Sequence, residues 1–136
     1  MSRDQIIEQL KRYFETSATG LVAAYLFGSV ARGQHRSDSD VDVGIVEGRR
    51  EPPTLADFDR LARIEDELTS ALGREVDVVS LDGAPPDLLH RVLVDKVLLY
   101  DGAHEQRIEF EIRARNDYFD IAPHLEQYRR TVLRRA

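Results

Sequence analysis

Ile6, Ile7, Leu10 and Phe14 recur at helical spacing, and Ser2 with Gln5 forms a capping box ahead of them. The pattern predicts a helix over residues 3 to 15, broken by Gly20. Residues 21 to 27 (LVAAYLF) form an uninterrupted apolar run, read as a buried strand that ends at Gly28-Ser29. A short helix is expected from Val30, followed by a polar loop to Asp38. Over residues 41 to 46 (VDVGIV) the pattern changes to alternation from Val41 to Ile45, which marks a second strand. Side chains alternate across a strand, so Val41, Val43 and Ile45 share one face while Asp40, Asp42 and Gly44 share the other. The apolar face can pack on helices. The opposite face, with two carboxylates and a glycine, must be open or bind something.

Residues 48 to 53 (GRREPP) read as a loop, after which Thr54 caps a long helix. Its predicted apolar stripe is Leu55, Phe58, Leu61, Ala62, Leu68 and Leu72, with Gly73 as the stop. Residues 75 to 81 (EVDVVSL) give a third strand with Val76 and Val78 towards the core and Asp77 on the other face. If that strand lies beside the second, a third carboxylate joins Asp40 and Asp42. Pro85-Pro86 opens a helix through Val94, and residues 97 to 100 form the last strand. A helix from about 105 to 121 carries Ile108, Phe110, Ile112, Ala114, Tyr118, Phe119 and Ile121 until Pro123 interrupts it. A final basic helix then covers about 124 to 135. The order predicts one small α/β domain over residues 1 to 136. Its catalytic core would be about 18 to 102, and its helical extension, about 104 to 135, would contact a partner. The apolar positions of that extension spread wider than a single buried stripe requires, and aromatic and arginine side chains favour interfaces.

Composition narrows the chemistry. The chain has 136 residues, 42% of them hydrophobic and 32% charged, which suits one domain with a real core. It contains no cysteine, so disulfide, thiolate and zinc-thiolate chemistry are excluded. No segment reaches the ~20 apolar residues of a membrane span, and residues 1 to 4 carry no apolar signal segment. The expected setting is the cytoplasm. A formal net charge of -6 argues against gripping a long nucleic acid, whose affinity rests on cationic side chains. A small nucleotide escorted by a divalent cation stays open, because the ion supplies the positive charge.

Asp40 and Asp42, side by side on one strand, can share divalent cations, and Asp77 can complete the set. Carboxylates without histidine or cysteine suit Mg²⁺ or Mn²⁺ and not zinc. Packed together without an ion, they would repel and raise at least one pKa. Asp77 is also placed to accept a proton from an attacking hydroxyl. Gly28 admits a phosphate close to the backbone, and Ser29 offers its hydroxyl and amide. Arg32, one turn on, can reach outer phosphates or pair with an acidic neighbour. Gly33 and Gly44 are read as making room.

The string G-S-x-A-R-G from Gly28, then S-D-x-D with ten residues between Ser29 and Asp40, resembles the DNA polymerase β-type nucleotidyltransferase superfamily. The small size resembles its minimal (MNT) branch. Within that branch, residues 108 to 130 (IEFEIRARNDYFDIAPHLEQYRR) resemble the MntA-type antitoxins paired with HEPN-domain toxins. The resemblance implies a small mixed sheet of about four strands flanked by helices. It also implies transfer of AMP from ATP to a tyrosine of the HEPN ribonuclease in a type VII-like toxin-antitoxin pair. Gly28 and Ser29 would bind the triphosphate, and Asp40, Asp42 and Asp77 would hold two Mg²⁺ ions. Family members often carry proline where Ser37 stands, so the loop before Asp38 departs from the pattern.

Other readings compete. Nucleotidyl transfer to a small molecule fits the same site, although relatives that do this carry a larger acceptor domain. A module that masks its partner without catalysis would leave the site vestigial, against which stand the intact carboxylates. Asp38 reads as a turn residue, His35 and His90 as surface or loop residues, and Arg129, Arg130, Arg134 and Arg135 as a solvated face.

Overall fold

The computed structural model describes residues 1–17, 20–34, 36 and 38–135, with the side chains of residues 133–135 excepted. His35, Ser37 and the side chains of Arg134 and Arg135 thus lie outside the described residues.

The chain runs α1 (Arg3–Ser17), β1 (Ala23–Phe27), α2 (Gly28–Ala31), β2 (Val41–Val46), α3 (Leu55–Leu72), β3 (Val76–Ser80), α4 (Pro86–Asp95), β4 (Val97–Asp101) and α5 (His104–Arg135). The four strands form one mixed sheet in the order β3-β2-β1-β4. β1 is antiparallel to both β2 and β4, while β2 and β3 run parallel. The parallel pair needs a crossover, and α3 supplies it.

Local signals place the ends of these elements. Ser2 and Gln5 bond reciprocally at the start of α1. Thr54 and Asp57 do the same for α3, which ends at Gly73 with φ 67°. β3 is an edge strand whose outer amides are covered by α3: Thr69 accepts from Val76 N–H and Glu65 from Val78 N–H. An edge so occupied is a poor template for another chain.

Two apolar layers hold the sheet. On one face Val41, Val43 and Ile45 pack with Ile6, Leu10 and Phe14 of α1 and with Ile64, Leu68 and Leu72 of α3. On the other, Tyr25, Phe27 and Val46 pack with Leu81, with Leu89 and Val92 of α4 and with Ala114 of α5. Burying a side chain of this kind contributes roughly 1.5–3 kcal/mol, so each layer is a major stabilising element.

Two expectations are corrected. The α3 stripe does not begin at Leu55 and Phe58, which are 83% and 56% exposed; it runs through Leu61, Ile64, Leu68 and Leu72. The first turn of α3 extends beyond both apolar clusters, so its apolar residues have nothing to pack on. In addition, Pro123 does not divide the C-terminal segment, because α5 is one helix of 32 residues. A proline removes one N–H and crowds the carbonyl four residues back. Here that carbonyl belongs to Phe119, and both residues are exposed, so water can satisfy it.

Candidate active site

Register brings the site together. β1 ends opposite the start of β2, with Phe27 facing Asp42, and the parallel pairing sets Asp77 beside Asp42. The two aspartates thus share the sheet face that carries Tyr25 and Gly44. That face is closed at one end and open at the other. Gly44 lies under Leu81, whose Cδ1 would stand 2.8 Å from an added Cβ. Gly44 makes room as expected, but for an apolar side chain of its own protein. Asp42 and Asp77 lie past this covered zone, partly exposed, and Asp40 is exposed beside them.

The carboxylates feel one another. Asp42 is held above the ordinary carboxylate range by burial, then by the charges of Asp77 and Asp40, with Arg32 pulling the other way. Asp77 is raised by burial, then by Asp40 and by Glu65 of α3. Such mutual repulsion is what a bound cation relieves.

Gly28 closes the site from above. Its φ is 79°, and a Cβ built on it would fall 2.3 Å from Asp42 Oδ2. The Gly-Ser turn therefore sits directly against the carboxylates. Ser29 follows in α2, a single turn of four residues rather than the helix expected from Val30. It contributes local hydroxyl and amide donors rather than a helix dipole.

Arg32 is engaged. Its Nη1 donates to Asp95 Oδ2 at 2.7 Å and its Nε to Gln34 Oε1 at 3.3 Å. Of the two pairings open to it from sequence, the acidic neighbour is the one seen.

Among the described residues, no three His, Cys, Asp or Glu side chains are gathered in the geometry of a closed metal cage. Mg²⁺ does not need one, since it uses one or two carboxylates and completes its shell with water and substrate phosphate. Asp40 and Asp42, with Asp77 beside them, fit that donor set. Concavities lie elsewhere: one of about 450 Å³ between α1 and α3, and one of about 680 Å³ lined by Val22, Val46, Leu81, Phe110 and Arg113. Neither includes a candidate residue. The candidate carboxylates lie instead on an open ledge of the sheet.

Sequence reasoning missed two neighbours of the site. Asp95 of α4 binds Gly28 and Arg32, and Glu65 of α3, after burial and Asp40, raises the Asp77 pKa. Both come from helices whose docking only the fold reveals. His90, read as a surface or loop residue, is half-buried and stacks on Tyr118 with ring centroids 3.6 Å apart.

A small mixed sheet, a Gly-Ser turn and a D-x-D strand with an acidic neighbour define a nucleotidyltransferase-type site. Comparison with known proteins agrees. The family model described as "Polymerase beta, Nucleotidyltransferase" matches residues 8–105. A Methanocaldococcus jannaschii protein named "Putative protein adenylyltransferase MJ0435" is 37% identical over 57% of this chain and 78% of its own. A solved "putative minimal nucleotidyltransferase" is 36% identical, with TM-score 0.56, covering 71% of this chain and 95% of that one. The chain belongs to the polymerase β nucleotidyltransferase family and is an enzyme of that class.

Two further solved structures share its fold. A toxin-antitoxin complex with AMP-PNP gives TM-score 0.67 at 21% identity over 93% of this chain and 94% of that chain. An MNT antitoxin bound to the tri-AMPylated Shewanella oneidensis HEPN toxin gives TM-score 0.63 at 19% identity over 96% and 95%.

Proposed function

We propose that this enzyme is the antitoxin of a HEPN/MNT pair, a cytoplasmic protein adenylyltransferase that moves AMP from ATP to a tyrosine hydroxyl of its HEPN ribonuclease partner. The observation that carries the reading is the convergence of Asp42, Asp77 and the Gly28 turn at the open end of one sheet face. The hydroxyl oxygen attacks the α-phosphorus, a new P–O bond forms, the bond to the β-phosphate oxygen breaks, and pyrophosphate leaves. Asp77, set beside Asp42 by the parallel register, accepts the hydroxyl proton. Gly28 and Ser29 hold the triphosphate, with Arg32 at its outer phosphates. Asp40, Asp42 and Asp77 would hold Mg²⁺, one ion or two, which when bound neutralises the charge on the phosphates and leaving group. Mn²⁺ satisfies the same oxygen donors.

The partner surface is assigned to α5. Ile112 and Phe119 are 50% and 68% exposed, and beyond Leu125 the helix is exposed on all sides as far as its side chains are described. A projecting helix with unburied aromatic residues supports docking. It also suits a second reading, in which the chain neutralises its partner by covering it.

One experiment separates the two. Incubate the protein with labelled ATP, Mg²⁺ and the HEPN-domain protein encoded beside it, and follow both label and ribonuclease activity. Label on the partner with wild type, and none with Asp40→Ala/Asp42→Ala, is the expected result. Neutralisation that survives the double substitution establishes masking instead.

A further inference from the structure

Asp95 is the last residue of α4, and its side chain is only 8% exposed. Nothing about the helix favours a carboxylate there. The C-terminal end of a helix carries partial negative charge, and α4 has no basic residue in its last turn. Burying an anion at that end is doubly unfavourable unless specific partners offset it. Two partners do. Asp95 Oδ2 accepts from Arg32 Nη1 at 2.7 Å and from the Gly28 amide at 3.3 Å. These are the guanidinium and the glycine turn that the nucleotide-binding reading assigns to the triphosphate.

Arg32 stands between two acidic groups. Its amide donates to Gly28 O at 3.1 Å, and a Cβ on Gly28 would fall 2.3 Å from Asp42 Oδ2, so Arg32 sits on the turn that lies against the cation-binding carboxylates. Among the described residues its ion pair is nonetheless with Asp95 and not with Asp42. Without Asp95, the anions left to attract it are the aspartates themselves, and a guanidinium settled there occupies the cation's place.

We infer that Asp95 is a positioning residue: it draws Arg32 away from Asp40 and Asp42 and pins the Gly28 turn, so that phosphate and cation meet a site already set. Asp95 uses one guanidinium nitrogen and Gln34 another, while Nη2, with no hydrogen-bond partner among the described residues, points to a remaining donor for phosphate. The inference rests on the nucleotide-binding reading above.

The test is a double-mutant cycle on the full chain, read by calorimetric binding of AMP-PNP with Mg²⁺, with thermal midpoints measured alongside. Asp95→Ala should weaken binding about tenfold, the scale of one lost charge-assisted contact, and Asp95→Asn, which keeps an acceptor, should recover part of it. In an Arg32→Gln background, the loss from Asp95→Ala should shrink to about threefold or less, the part owed to pinning the Gly28 turn, because the guanidinium it positions is gone. Equal losses in both backgrounds, tracking the thermal midpoint, make Asp95 merely structural and overturn the inference. So does wild-type affinity in Asp95→Ala. Failure of the wild type itself to bind AMP-PNP refutes the nucleotide-binding reading, and the inference falls with it.

Discussion

Gly28 meets two demands that only glycine satisfies together. The chain must turn with φ 79°, and the turn must pass so near Asp42 that a β-carbon has no space. A left-handed conformation costs an L-residue roughly 1–2 kcal/mol, and relieving the contact would push the carboxylate away from its partners. Gly28→Ala should therefore fold with a modest loss of stability and lose about a hundredfold in AMP transfer, the scale expected when a reacting group is misplaced by an ångström. Comparing the thermal midpoint with the transfer rate checks this. A rate near wild type would mean that the turn and the carboxylate do not act together. Gly44 looks similar in sequence but answers to packing, since Leu81 fills the space above it. A lone glycine gives no sign of which neighbour it makes room for.

Among the elements, α5 shows how buried charge fixes a helix on a sheet. Glu111 is 3% exposed and accepts from Tyr25 Oη at 2.9 Å, from Lys96 and from Arg107. Burial pushes its pKa up, but the bonds from Lys96, Tyr25 and Arg107 together outweigh that and leave it below the ordinary value of 4.5. A lowered folded pKa means that the stabilisation is present above the unfolded value and is lost as pH falls through the folded one. Glu111→Ala should destabilise the protein by about 1–3 kcal/mol at neutral pH, because buried Tyr25 Oη loses its acceptor and Arg107 keeps only its ion pair with Asp101 among the described residues. The deficit relative to wild type should shrink in acid, which denaturant titrations at neutral and acidic pH will check. A deficit independent of pH would mean that shape, not charge, docks the helix. None of this was legible in the sequence, where Glu111 is one charge on a charged helix. Tyr25 and Lys96 reach it only through the sheet. The capping box at Ser2, the cap at Thr54 and the alternation of β2 were legible because their partners lie within a few residues. The α3 stripe and the helix across Pro123 were misread because burial, not local pattern, decides which apolar residues pack and whether a freed carbonyl is tolerated.

At the scale of the molecule, the sheet order is what turns separate motifs into a site. The D-x-D strand is flanked by β1, which delivers the Gly-Ser turn, and by β3, which delivers Asp77 in parallel register. Ten residues of spacing indicate the first neighbour, and the parity of an alternating strand indicates the second. Asp95 arrives from α4 and has no such signature. Among the described residues, no helix is long and apolar enough to cross a membrane. In the proposed site Asp42 and Asp77 repel each other until a cation joins them. Their raised pKa values mean that ionisation opposes folding as pH rises through that window, and a bound divalent ion removes the opposition. Carboxyl-carbon NMR titration of the two residues, with and without Mg²⁺ and AMP-PNP, measures this directly. Both should titrate above the ordinary aspartate range in the free protein and fall below it when cation and nucleotide are present. Ordinary values that do not respond to the ion would contradict the proposed active site.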